Sequence, residues 1–280
     1  MSWLNSYKYR RKLTIDSSNI DSDLSHFPLP VPLGTTVGMS DQDVTDIFDE
    51  VGSDYYKVAV TKSDGTTQIY AEVEQWDATN ENALLWTSRD NWTVTSGTNT
   101  DLYLYFDANA ADNVAYVGTP SNRTEVWNSS YKVVFHMNQD PEDSEPQIID
   151  STSNHNDGTC YGGMSSDNLV DAKLGKGLDI AYADYVQVDD NDSLDITGEL
   201  TLQFWGSTDS APNENRGAVS KHVGSGDQRS FTIAKNSSDT VPRFTINSPD
   251  GGSPSYGTSL VGSTRLDGNI LRKIDAVFIP

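Results

Sequence analysis

At 280 residues the chain can form one large or two medium domains, each able to bury a core. Its 41 acidic residues against 19 basic give a formal net charge of −22, which repels phosphate and anionic lipid alike and argues against nucleic acid as a partner. A hydrophobic fraction of only 35% is offset by 6 Trp, 13 Tyr and 8 Phe, so the composition describes a folded protein with a very polar skin.

Aspartate outnumbers glutamate 32 to 9, a bias toward turns and caps and away from helix interiors. Such a surface suits a salt-rich habitat, where self-repulsion is screened. Cys160 is the sole cysteine, which excludes a disulfide framework or a thiolate cluster. With only His26, His136, His155 and His222 besides, structural zinc is not expected. No apolar run is long enough to span a membrane, and residues 1–6 lack the basic-then-apolar pattern of a secretory signal.

In chain order, period-2 alternation begins at once: Tyr7, Tyr9, Arg11, Leu13 and Ile15 fall on one face of a strand. A short helix is expected at Asp41–Glu50, capped by Ser40, with Val44, Ile47 and Phe48 on one side. Further strands are predicted at Tyr55–Thr61, Thr67–Trp76, Ala83–Thr87 and Asp101–Phe106, separated by turn chemistry such as Ser63-Asp64-Gly65. Periodicity fades between Ala108 and Trp127, which reads as a linker with a boundary near residue 122. Beyond it, strands are predicted at Tyr131–Met137, Tyr185–Val188, Leu200–Trp205, Gly217–Lys221, Ser230–Ala234, Arg243–Asn247 and Ile274–Ile279. The expected fold class is therefore all-β, two antiparallel β-sandwich modules in tandem over residues 1–121 and 122–280.

The second module carries Val126-Trp127, then Val133-Val134-Phe135-His136-Met137, and the loop Asp150-Ser-Thr-Ser-Asn-His-Asn-Asp-Gly-Thr159. After these come Gly175-Lys-Gly-Leu-Asp179, Asp184-Tyr-Val-Gln-Val188, Ser193-Leu-Asp-Ile196 and Leu200-Thr-Leu-Gln-Phe-Trp205. In that order they resemble the laminin G-like members of the concanavalin A-like lectin and glucanase superfamily, over roughly residues 126–280. The resemblance implies a concanavalin A-like jelly roll. It also places Lys273–Phe278 mid-domain, so the closing strands are expected from a longer chain or from another chain. The first module, through Trp3, Tyr9-Arg10, Phe27-Pro28, Asp54, Glu74-x-Trp76, Trp86 and Leu102-Tyr-Leu-Tyr105, resembles a domain family of unknown function that often directly precedes such lectin-like domains.

The superfamily includes glycosidases, whose retaining members hold two carboxylates about 5 Å apart in an open cleft. Glu72 and Glu74 have the alternate spacing and share a predicted strand face with Tyr70 and Trp76, but they lie in the first module. In the second, Glu125, Glu142, Glu145 and Glu199 fall near turns or linkers, and no histidine has an adjacent triad partner. His136 reads as a packed core residue. Asp150, Asn154, Asn156 and Asp157 crowd one loop with the oxygen ligands that calcium prefers, while the same residues equally make Asx-turns. Asp189-Asp-Asn-Asp192 is a second acidic loop, read as a solvated turn.

These readings lead to a non-catalytic adhesion protein of an extracellular or virion surface, a tail fibre, spike or capsid decoration, with calcium as the expected cofactor. Its expected partners are host-surface glycan or glycoprotein and neighbouring virion or surface-layer subunits, in a homo-oligomer without membrane insertion. The rivals are a purely structural component or cell-surface fragment with no sugar site and, behind it, a glycoside hydrolase.

Overall fold

The computed structural model describes residues 3–4, 6–172, 175–196, 198–208, 216–222, 229–235, 241–246, 259–262 and 272–279. They form two compact units, Met1–Asp190 and Asn191–Pro280. The protein is all-β, dominated by antiparallel strands and one large curled sheet.

In the first unit the strands are β1 (Tyr9–Ile15), β2 (Leu24–Ser25), β3 (Leu29–Leu33), β4 (Val58–Lys62), β5 (Gln68–Asp77), β6 (Asn82–Ser88), β7 (Thr93–Val94) and β8 (Thr100–Phe106). Six of them build the curled sheet in the order β1-β8-β4-β5-β6-β3, while β2 and β7 form a separate small pair. The alternation in β1 and β8 puts Leu13 opposite Leu102 and Arg11 opposite Leu104. Inside the curl lies the main core, with Val58, Val60, Ile69, Leu85, Leu102 and Leu104 all sealed from solvent. On the opposite face Tyr7, Tyr103 and Tyr105 make a second, smaller core covered by Leu4. At that face Arg10 is held among aromatic rings, its guanidinium 4.2 Å from the ring centroids of both Trp3 and Tyr103.

The expected helix forms as α1 (Asp46–Val51), shorter than Asp41–Glu50. Its start shifts because the Asp43 carboxylate accepts from the Thr45 backbone N–H and hydroxyl, which holds that stretch as a turn. Ile47, Phe48 and Val51 then plug the curled core. Tyr55–Lys57 is a 3₁₀ turn leading into β4, so the predicted strand at Tyr55–Thr61 starts late. The predicted linker contains a helix, α2 (Pro120–Val126), with proline in its first turn. Its Asn122 side chain is buried and donates to the Val114 carbonyl.

The remainder of the first unit holds β9 (Gly158–Tyr161), β10 (Leu169–Asp171), β11 (Lys176–Leu178) and β12 (Tyr185–Val188) in two antiparallel pairs, β12-β9 and β10-β11. Tyr131–Met137, predicted as a strand, joins no ladder. Its backbone is satisfied instead by the loop after it: Val134 N–H donates to Asp150 Oδ1, and the Lys132 carbonyl accepts from the Asn156 amide at 2.8 Å.

The second unit contains β13 (Leu200–Gly206), β14 (Arg216–His222), β15 (Arg229–Lys235), β16 (Pro242–Ile246), β17 (Ser259–Val261) and β18 (Arg272–Phe278). Strands β13 and β18 pair with each other, and β14-β15-β16-β17 form a second sheet. Leu200 and Ala276 from one sheet meet Phe231, Ile233 and Phe244 from the other in a common core, the packing of a small sandwich. Five of the seven strands predicted beyond residue 122 lie in this unit and form close to their expected positions; Asn247, the last residue of one, lies outside the described residues.

Candidate functional site

A bulge in β5 organises the most unusual cluster in the molecule. Ile69, Ala71 and Val73 face the curled core, but the register against β6 slips between Val73 and Gln75, so the next core-facing residue is Trp76. Trp76 packs on Phe48 and donates its indole N–H to the Gly52 carbonyl. It therefore leaves the face it was expected to share with Glu72 and Glu74. Those two carboxylates point the other way, toward residues 127–151.

Between them sits His136, with its side chain only 9% exposed. Its Nδ1 lies 3.0 Å from Glu74 Oε2, and its Nε2 lies 3.2 Å from Glu72 Oε2. The second contact falls outside hydrogen-bond geometry, so it acts through charge and proximity. Trp127 Nε1 donates to Glu72 Oε2 at 2.7 Å, and Trp86 Nε1 donates to Glu74 Oε2 at 2.5 Å. The Ser151 hydroxyl donates to the other Glu72 oxygen. Trp86 and Trp127 contact each other and flank the imidazole, with ring centroids 6.0 and 6.1 Å from it.

Burial pulls the imidazolium pKa down, but the two carboxylates outweigh it and hold His136 well above its ordinary value, at about 9. At neutral pH the ring is a cation clamped between two acids. The cluster ties β5 and β6 to residues 127–151, and Asn138 adds a bond to the Glu74 carbonyl. These contacts carry the first unit past residue 122 as far as residue 151, and the unit itself runs on to Asp190.

The sequence does not place His136 beside Glu72 and Glu74, because partners 62 to 64 positions apart leave no local trace. One signal was available: a histidine between Phe135 and Met137 must find a partner once buried, and a buried Glu-x-Glu strand needs a cation.

In the loop read as a calcium site, the oxygen-bearing side chains hold the loop and the segment before it together. Asp150 is completely buried, and its Oδ1 accepts from Val134 N–H and Thr152 N–H. Its Oδ2 accepts from the Thr152 hydroxyl and the Asn156 N–H. Asp157 accepts from the Asp150 N–H, and the Asn154 amide donates to the Tyr131 carbonyl. Three backbone N–H groups and one hydroxyl thus converge on the two Asp150 oxygens. Among the described residues, no three His, Cys, Asp or Glu side chains are grouped to hold a metal ion. Nor is any helix among them long and apolar enough to cross a membrane.

A different arrangement faces outward on the β9-β12 ribbon. Tyr161 and Tyr185 are directly opposed across the two strands, their rings 5.2 Å apart and within 16° of parallel. They are 42% and 50% exposed. Comparison with known proteins finds no matching family model, no matching curated protein and no matching solved structure.

Proposed function

We propose that this chain is a non-catalytic recognition protein, displayed on the outside of a virion or cell, that binds host-surface glycans without cleaving them. The observation that carries this reading is the fate of Glu72 and Glu74. A glycosidase needs its carboxylates in an open cleft, one to protonate the leaving group and one to attack or to activate water. Here both are interior, with His136 between them and indole N–H and hydroxyl donors holding them, so they serve the scaffold. The strongly acidic exterior and the lectin-like sequence features of residues 126–280 support the same reading.

A glycan array probed with the intact chain in molar salt, with released sugar assayed in the same mixture, tests it. Saturable retention without release is expected; released sugar would overturn the non-catalytic claim.

One observation favours a second, purely structural reading. On the outer face of the β13-β18 pair Trp205 and Val277 are 44% and 51% exposed, a face suited to a neighbouring subunit. Sedimentation analysis separates the two: assembly without glycan retention would move the assignment to this second role.

A further inference from the structure

The β9-β12 ribbon has two faces of opposite character. Its inner face carries Val186, and Gly158 lies so close beneath it that an added Cβ would stand 2.5 Å from Val186 Cγ1 and within 3.5 Å of Ile148 and Phe135. That packing fixes the ribbon to the unit. At its turn end the Asp184 carboxylate accepts from the Gly163 N–H at 2.8 Å and from the Ala181 N–H at 3.2 Å. The outer face presents the Tyr161–Tyr185 pair and, one pleat along, the polar pair Thr159 and Gln187.

Three properties of this outer face define what it can hold. Two near-parallel rings stacked on each other on a rigid ribbon keep their outer faces and edges open to solvent, which gives aromatic surface at low entropic cost. The adjacent cross-strand pair, Thr159 and Gln187, is polar and ends the apolar area on that side. The amide of Gln187 and the hydroxyls of Thr159 and the tyrosines supply hydrogen-bonding groups around it. Outer ring faces rimmed by such groups match a pyranose, whose axial C–H face is apolar and whose edge is hydroxylated. Charge narrows the class further: Asp184 and Asp189 stand at the two ends of the Tyr185–Val188 strand, and the whole chain is acidic, which disfavours sulfated and sialylated sugars and anionic lipid.

We infer that the outward face of this ribbon, Tyr161 and Tyr185 with Gln187 and Thr159, is a binding site for the pyranose rings of a neutral or amino-sugar glycan. The inference rests on the recognition role proposed above and names its site and ligand class.

The test uses the full chain, titrated calorimetrically with cellotetraose, chitotetraose and a sulfated heparin tetrasaccharide, beside the glycan array. Binding of a neutral or amino-sugar probe is expected, weakened about tenfold or more by Tyr161→Ala or Tyr185→Ala and largely retained in Tyr185→Phe, which keeps the ring. Saturation-transfer NMR on the unmodified protein, reading magnetisation passed from tyrosine rings to sugar C–H groups, guards against a variant that fails to fold. Glycan retention with no ring-to-sugar transfer, or unchanged in both alanine variants, would overturn this site and leave the recognition role standing. Preference for the sulfated probe would overturn the ligand class. Retention of no glycan would overturn both.

Discussion

Alkaline titration of His136 gives the sharpest check on the buried clamp. Because the folded-state pKa is raised, to about 9 from 6.5, the folded protein holds this proton more tightly than the unfolded chain does. The stabilisation is fully present below about pH 6.5 and fades as pH rises, reaching zero above about pH 9. A shift of that size corresponds to about 3 kcal/mol, a large fraction of the stability of an ordinary domain. Urea unfolding followed by tryptophan fluorescence at about pH 6, 8 and 10 and fixed ionic strength is the assay, in the native chain and in His136→Gln. Trp86 and Trp127 flank the imidazole and report directly on this cluster. The variant should be less stable at low pH, and the two curves should converge above about pH 9. Burial also pushes the Cys160 thiol up, as it does the Tyr131 and Tyr7 hydroxyls, but these groups are common to both proteins and cancel in the comparison. A stability gap that stays constant through pH 10 would refute the clamp as a source of stability.

Replacing Asp150 by alanine should cost about 3 kcal/mol or more, since it strands buried N–H groups of Val134, Thr152 and Asn156; a drop in melting temperature checks it. Because donors already occupy the Asp150 oxygens, calcium and chelator should leave the melting temperature of the native chain unchanged, and a clear calcium-dependent rise would show that the loop binds the metal. Gly158→Ala should destabilise by about 1–3 kcal/mol through collision with Val186, read by denaturant midpoint. Raising sodium chloride from about 0.1 to 1 M should raise the melting temperature by screening a net charge of −22; a flat response would mean that self-repulsion does not limit stability.

The strands that the sequence reveals carry a local pattern of their own: β1, β13 and β18 alternate between a more buried and an exposed face, while β8 is an apolar and aromatic run buried on both faces. Features that depend on distant partners are hidden. Tyr131–Met137 alternates like a strand yet joins no ladder, because the side chains of Asp150, Asn154 and Asn156 supply its backbone partners. The slip at Val73/Gln75 cannot be inferred from residue types, and it separates Trp76 from the two glutamates. The register that opposes Tyr161 to Tyr185 is equally invisible, since β9 is four residues of unremarkable composition. Helix α2 has a local starting signal in Thr119-Pro120, but the turn-forming residues around it mask that signal.

Strand β3 ends the large sheet with the sequence Leu29-Pro30-Val31-Pro32-Leu33. Prolines at alternate positions have no N–H to offer, so the ladder to β6 is carried by Leu29, Val31 and Leu33, and the free side of the strand has no donor at Pro30 or Pro32. Another extended chain meeting that side would find acceptors without matching donors and could not continue the sheet. At concentrations where a bare strand would pair with its neighbour, this margin of the sheet therefore stays inert.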